Sequence, residues 1–191
     1  MRETEKIADK IYGRIDSILD ETREEDIAAY AFIMAESRRK KASPVFRFVY
    51  EKFYGMGRFV TKNYRDEYFR KMNDKKVDLK KMLKLKSGGK TQYSFSTKLL
   101  HTVNPNMPIY DSNIGRALGS IPHKRTVEGY CQHYAKLEEV HRKLQKEKIM
   151  KKAISRFKSK FKKFGRFSNV KIVDFLLWEY GRMLKPKKTN K

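Results

Sequence analysis

Residues 92–114 read QYSFSTKLLHTVNPNMPIYDSNI, and this stretch decides how the chain folds. Apolar side chains recur at helical spacing and fall on one side of a helix from about Ser94 to Val103. The turn Asn104-Pro105-Asn106 ends this helix, because the residue before a proline is driven out of the helical region. The stretch therefore predicts a helix, an irregular segment and a second element behind it.

That second element is a short helix. Asp111 or Ser112 can cap it, since a side-chain oxygen at the position before a helix accepts a free backbone N–H. The helix extends from Asn113 to Leu118, and Gly119 follows it.

Helical patterns continue on both sides of this pair, and we find no convincing strand. The patterns are an amphipathic helix on Ile7, Ile11, Ile15 and Ile18; a helix over 24–39 capped by Thr22; an aromatic helix over 45–54 introduced by Ser43-Pro44; a helix from Tyr64 to Met72; a short helix over 79–85; a long periodic stretch from Thr126; a basic helix with an apolar stripe from Met150 to Phe164 that ends or bends at Gly165; and a well-buried helix capped by Ser168. The sequence predicts an all-α protein with a single helical domain over 1–184 and a disordered basic tail over 185–191.

Composition narrows the class of protein. The single cysteine, Cys131, cannot form a disulfide within the chain, so nothing points to an oxidising compartment. The longest apolar stretch, Ile27–Ala35, is about half of the ~20 residues that a membrane-spanning helix needs, and the N-terminus is acidic rather than signal-like. We expect a cytoplasmic protein that is not inserted in a membrane, and the oligomeric state stays open.

Positive charge is concentrated in one part of the chain. The net charge is +24; residues 1–30 carry nine acids and five bases (−4), which leaves +28 on residues 31–191. Twelve Lys or Arg and one acid lie between Arg142 and Arg166. An unpaired run this dense repels itself unless a polyanion neutralises it, which predicts nucleic acid, above all double-stranded DNA, as partner; an anionic membrane surface and a solvated helix face are the alternatives. The candidate DNA-binding residues of this run are Lys151, Lys152, Arg156, Lys158, Lys160, Lys162 and Lys163.

One short motif points to chemistry. Residues 94–98, Ser-Phe-Ser-Thr-Lys, resemble the hairpin of the helix-hairpin-helix DNA glycosylases, especially their 8-oxoguanine branch. On this overlay Ser94 and Ser96 stand at the two hairpin glycines, which hold a DNA phosphate, and Lys98 stands at the nucleophilic lysine. Asp111, in the run Pro-Ile-Tyr-Asp, resembles the catalytic aspartate. The resemblance covers about an eighth of the chain.

The resemblance implies a helix-hairpin-helix glycosylase-like centre, with a DNA glycosylase and AP-lyase activity on a damaged base. Lys98 would attack the sugar carbon C1′, and Asp111 would stabilise the positive charge that develops there. Burial and the surrounding positive charge would lower the pKa of the lysine and leave part of it neutral. His101 and Tyr110 are the candidate residues behind this pair. No cofactor is implied.

Other interpretations of the same residues stay open. Lys98 can be an ordinary surface lysine, and Asp111 can be a helix cap and nothing more. The fold can also serve a non-enzymatic nucleic-acid-binding module, or a defence or regulatory protein whose basic face meets an acidic partner. Cys131 and His133 match no closed metal-ligand pattern, so we expect no metal.

Overall fold

The computed structural model describes residues 2–39, 42–73 and 77–186, and in these residues the chain forms eleven α-helices and one small antiparallel hairpin. The elements are α1 (Glu3–Tyr12), α2 (Ile15–Glu21), α3 (Glu24–Glu36), α4 (Pro44–Tyr54), α5 (Lys62–Met72), α6 (Leu79–Lys84), β1 (Lys86–Ser87), β2 (Lys90–Thr91), α7 (Tyr93–Val103), α8 (Ser112–Leu118), α9 (Val127–Leu144), α10 (Lys148–Lys160) and α11 (Asn169–Met183). The predicted all-α single domain is confirmed. In the described ranges, none of these helices combines the length and the apolar content that a membrane crossing requires.

Capping side chains set where several helices begin, as the sequence predicts. Ser43 Oγ accepts the N–H of Phe46, and Pro44 occupies the first position of α4, where a missing N–H costs nothing. Thr126 Oγ1 and Ser168 Oγ accept the corresponding bonds at the starts of α9 and α11.

Two boundaries near the N-terminus differ from the prediction. The amphipathic first helix is divided at Gly13 into α1 and α2, although its four isoleucines stay on one buried face. Thr22 does not cap α3: its hydroxyl donates to the Ile18 carbonyl at the end of α2, and Arg23 occupies the position before α3. The apolar spacing located the buried face correctly, but a glycine can interrupt a helix without changing which face is buried.

The basic helix ends earlier than predicted. A break over 145–147 separates α9 from α10, α10 ends at Lys160, and a single 3₁₀ turn, Lys162–Phe164, follows. Phe161 remains buried beyond the helix end. The basic helix is therefore 13 residues long, and the buried helix that the sequence predicts after Ser168 is α11. Of the predicted tail, residues 187–191 lie outside the described residues.

The hairpin β1–β2 corrects the expectation that the chain has no strand. Its strands pair Lys86 with Thr91 and Ser87 with Lys90. Gly88 and Gly89 form the turn with φ values of 54° and 74°, which favour glycine because it has no Cβ.

Helix α11 contributes several buried side chains to the hydrophobic core, and α8 packs against it at very short range. A Cβ on Gly181 would lie 1.9 Å from the Asn113 carbonyl oxygen, so only glycine fits at this crossing. Arg116 then donates to the Gly181 carbonyl at 2.8 Å. This close approach places the beginning of α8, and with it Asp111, beside α11.

Candidate active site

Lys98 lies in the interior rather than on the surface. It belongs to α7, its residue is 8% exposed, and its Nζ lies 4.9 Å from the ring centroid of Phe95 and 5.2 Å from that of Tyr54. Among the described residues its amine makes no hydrogen bond and no ion pair. Burial lowers the pKa of Lys98, and the charge of Asp111 opposes this shift. The interpretation of Lys98 as a surface lysine is therefore wrong.

Asp111 caps α8, as the sequence predicts. Its Oδ1 accepts the N–H groups of Asn113 at 2.9 Å and Ile114 at 3.0 Å. Oδ2 accepts no hydrogen bond from the described residues. Asp111 lines the same cavity as Lys98, so the capping role leaves one carboxylate oxygen available for chemistry.

Side chains from three helices fix the irregular segment in front of Asp111. Each of the four residues over 107–110 has a backbone group in a hydrogen bond with a side chain. These bonds join His101 Nδ1 to the Met107 carbonyl (2.6 Å), the Tyr134 hydroxyl to the Pro108 carbonyl (2.9 Å), the Ile109 N–H to the Asp174 carboxylate (3.3 Å) and the Tyr110 N–H to Thr97 Oγ1 (3.0 Å). The segment needs these partners because it forms neither helix nor strand and is largely buried.

The cavity that Lys98 and Asp111 share has a volume of about 330 Å³. Four aromatic side chains contribute to its walls: Phe53 and Tyr54 from the end of α4, and Phe175 and Trp178 from α11. The ionisable side chains of Lys171 and Asp174 of α11 also line it. Planar apolar walls with a few convergent polar groups are typical of a site for a small planar ligand.

His101 takes part in the site only through other residues. Met107 O can only accept, so Nδ1 of His101 carries the proton, and Nε2 accepts from the Tyr30 hydroxyl at 2.8 Å. Burial lowers the pKa of His101 to about 3, which keeps the ring neutral. His101 lies 3.9 Å from Asp174 and does not itself line the cavity. It orients the chain behind the site.

Tyr110 is not brought to the cavity. Its ring stacks on that of Tyr93 at 4.8 Å and meets the edge of His133 at the same distance. His133 is in turn bound by the Tyr93 hydroxyl at 2.8 Å. These aromatic rings hold α9 against α7, and Tyr110 contributes only its backbone to the placement of Asp111.

The predicted hairpin at residues 94–98 is wrong, because α7 runs through it from Tyr93. Ser96 is fully buried and its hydroxyl donates to the Gln92 carbonyl, so it presents nothing to a phosphate. The turn with left-handed glycines lies earlier, at Gly88 and Gly89, between α6 and α7. This turn belongs to the hairpin β1–β2, and Gly88 lies six residues upstream of Ser94.

Sequence reasoning missed the contribution of α11. Lys171, Asp174 and Trp178 are spaced three and four residues apart and therefore share one helix face. Lys171 and Asp174 are only 4% and 2% exposed. The sequence did contain a signal for this contribution: two ionisable residues lie in a helix that is apolar on most of its circumference. Lys and Asp are rarely buried fully unless they have a partner.

The basic face of α10 is partly neutralised by the N-terminal acids, which corrects the prediction of an unpaired run. Arg156 pairs with Asp16, Lys160 with Asp20 (2.7 Å) and Lys163 with Glu24 (2.6 Å). Lys158 donates to Asn169 Oδ1 at 2.7 Å. Lys151, Lys152 and Lys162 are exposed and have no partner among the described residues. The charge available to a polyanion is thus smaller than the sequence suggests.

No group of three or more His, Cys, Asp or Glu side chains in the described ranges is arranged to hold a metal ion. Comparisons with protein-family models, with curated proteins and with solved structures found no match to this chain.

Proposed function

We propose that the protein is a DNA glycosylase with AP-lyase activity that removes a damaged base through Lys98 and Asp111. The observation that carries the proposal is that a buried amine without a partner and a carboxylate with a free oxygen line one aromatic cavity. Lys98 lies in α7 and Asp111 caps α8, and a lysine followed by an aspartate after a proline-containing run resembles the glycosylase motif. Buried titratable groups that converge on a cavity are characteristic of active sites.

The chemistry follows from the two side chains. The neutral Nζ of Lys98 attacks C1′ of a flipped nucleotide; a C–N bond forms while the glycosidic bond breaks, and its electron pair leaves with the base, which takes up a proton. The free oxygen of Asp111 stabilises positive charge on the sugar. Nζ then loses a proton, and O4′ takes one up as the sugar ring opens to a Schiff base. Loss of a proton from C2′ eliminates the 3′-phosphate and cleaves the strand.

The cavity accommodates the flipped base in this scheme. Trp178 offers a flat apolar surface, and stacking of the flipped base on this ring replaces part of the stacking that the base loses when it leaves the duplex. The lowered pKa of Lys98 raises the fraction of neutral, nucleophilic amine near neutral pH. The unpaired lysines of α10 supply contacts to the DNA backbone.

Borohydride trapping tests the proposal. Purified protein is incubated with duplexes that carry an abasic site or 8-oxoguanine, and reduction converts the Schiff base into a stable adduct. We expect an adduct with the wild type and none with Lys98→Gln, while DNA affinity and melting temperature stay nearly unchanged. Lys84→Gln is the matched control, because Lys84 is exposed at the end of α6.

A non-enzymatic DNA-binding module is the second candidate, and the complete helix cap at Asp111 favours it. Both N–H bonds to Oδ1 are those of an ordinary cap, which a structural aspartate would also make. If DNA binds but neither duplex is trapped, the enzymatic proposal is wrong and the binding module stands.

A further inference from the structure

Lys171 is a second buried amine in the cavity, and nothing in the proposed reaction uses it. It lies in the first turn of α11, is 4% exposed and lines the cavity together with Lys98. Its Nζ lies 4.5 Å from the ring centroid of Tyr30 and 4.3 Å from that of Phe175. Among the described residues it makes neither a hydrogen bond nor an ion pair.

An ammonium in this position lacks acceptors. The group carries three N–H donors and no acceptor of its own, and burying unmatched donors costs free energy. The two aromatic faces compensate part of this cost by cation–π attraction, but they accept no conventional hydrogen bond. Asp174, one turn further along α11, forms no ion pair with Lys171 and receives the Ile109 N–H instead. An oxygen acceptor that enters from the cavity would supply the hydrogen bonds that the amine lacks.

Tyr54 provides an independent indication of a polar occupant. Its hydroxyl is buried, has no hydrogen-bond partner and belongs to a residue that lines the same cavity. Buried hydroxyls in proteins are nearly always bonded. Unmatched donors on α4, α7 and α11 thus surround a space with aromatic walls, a combination that suits a flat ligand with oxygen acceptors at its edge.

We propose that Lys171 donates a hydrogen bond to a ring carbonyl oxygen of the base in the cavity and so selects keto bases over adenine. This inference rests on the proposed function and names its substrate class. A ring carbonyl fits better than a phosphate because Lys171 lies between the faces of Tyr30 and Phe175, where the neighbouring surfaces are planar and apolar. Burial lowers the pKa of Lys171 to about 8, with Asp174 opposing the shift, so the amine remains mostly a charged donor at neutral pH.

Calorimetric titration with two free purines tests this selection without any catalytic step. Hypoxanthine and adenine have nearly the same shape, but hypoxanthine has a carbonyl oxygen where adenine has an amino group. We expect the wild type to bind hypoxanthine at least tenfold more tightly, which is about 1.4 kcal/mol. Lys171→Met should lose this preference and leave adenine binding unchanged, whereas Lys171→Gln, which keeps an N–H donor, should retain part of it. Lys84→Met is the matched control on an exposed lysine.

Equal affinities of the wild type for the two purines, or no binding of hypoxanthine, would overturn the inference, and this comparison does not depend on the folding of any variant. A preference that survives in a folded Lys171→Met protein overturns it too. Trapping on abasic DNA separates the two proposals, because an abasic site has no base for Lys171 to contact. If the protein selects hypoxanthine but no adduct is trapped, the role of Lys171 is supported and the proposed enzymatic activity is wrong. If an adduct is trapped but hypoxanthine is not selected, the enzymatic activity is supported and the role of Lys171 is wrong.

Discussion

Thr97 Oγ1 accepts the backbone N–H of Tyr110 at 3.0 Å. Because Thr97 precedes Lys98 and Tyr110 precedes Asp111, one hydrogen bond ties together the chain neighbours of the two proposed catalytic residues. The same hydroxyl donates to the Ser94 carbonyl at 2.9 Å, which fixes its orientation in α7. The distance between the amine and the carboxylate is thus set by a residue that touches neither.

Replacing Thr97 by valine should separate the pair. Valine keeps the shape but leaves the Tyr110 N–H unmatched, which costs roughly 1–3 kcal/mol of unfolding free energy. We expect a lower midpoint in urea and a trapping rate that falls by at least tenfold. Thr97→Ser retains the hydroxyl and should restore most of both. A valine variant that traps DNA at the wild-type rate would contradict this role of Thr97.

Acid should destabilise the protein through its buried histidines. Burial lowers the pKa values of His101 and His141 to about 3, whereas an unfolded chain has histidine pKa values of about 6.5. The unfolded chain therefore binds protons first, and the free energy of unfolding falls as pH drops from about 6.5 towards 3. Each histidine contributes about 2 kcal/mol of this loss between pH 6.5 and 5.

His141→Leu isolates one of these contributions. Neither ring nitrogen of His141 has a hydrogen-bond partner among the described residues, and Oδ1 of Asp174 lies 3.5 Å from Nε2. Urea denaturation at pH 6.5 and pH 5 should show a smaller loss of stability in the variant. Equal losses in the two proteins would mean that His141 is already protonated in the folded state.

The crossing of α8 and α11 should tolerate no side chain at Gly181. The added Cβ of Gly181→Ala would overlap the Asn113 carbonyl, so the helices must move apart at a cost of about 3 kcal/mol. Thermal denaturation should show a marked fall in melting temperature. Gly57→Ala is the control, because the nearest atom to its Cβ would lie 4.0 Å away on a flexible side chain. Similar melting temperatures for the two variants would contradict the packing argument.

DNA binding should depend on the unpaired part of the basic face. Replacing Lys151, Lys152, Lys158 and Lys162 by glutamine removes four charges that have no acidic partner among the described residues, so the slope of log K against log salt should flatten by about three to four. The matched triple variant at Arg156, Lys160 and Lys163 should change the slope less, since those groups must first leave their carboxylates. Fluorescence anisotropy over a range of salt concentrations measures both. Equal slopes in the wild type and the quadruple variant would argue against this surface.

The sequence predicted that Lys98 and Asp111 lie in one site, and both line the same cavity, but it did not predict the residues around them. Lys98 and Asp111 belong to one short motif, and the neighbouring residues in the sequence were enough to predict the proline turn and the helix cap. Lys171 and Asp174 lie on a helix far along the chain, and only the packing of α11 against α8 brings them to the same cavity. Local pattern could not reveal this packing because Gly181 and Asn113, which meet at the crossing, lie far apart in the sequence.

The predictions of an unpaired basic run and of a hairpin at residues 94–98 were wrong for related reasons. The ion pairs of α10 join acids and bases about 140 positions apart, so composition alone made the basic run look unpaired. The family's hairpin was placed at residues 94–98, inside a helix, because two serines there have the spacing of the two hairpin glycines. In both cases the residues that decide the structure lie outside the segment from which the prediction was made.

The segment over 107–110 has a consequence for how the protein loses its structure. It has no ladder or helix of its own, and its order depends on bonds to α7, α9 and α11 together. When any one of these helices shifts, Asp111 is released while most of the helical content persists. Trapping activity should therefore be lost at a lower urea concentration than the one at which circular dichroism reports the loss of helix.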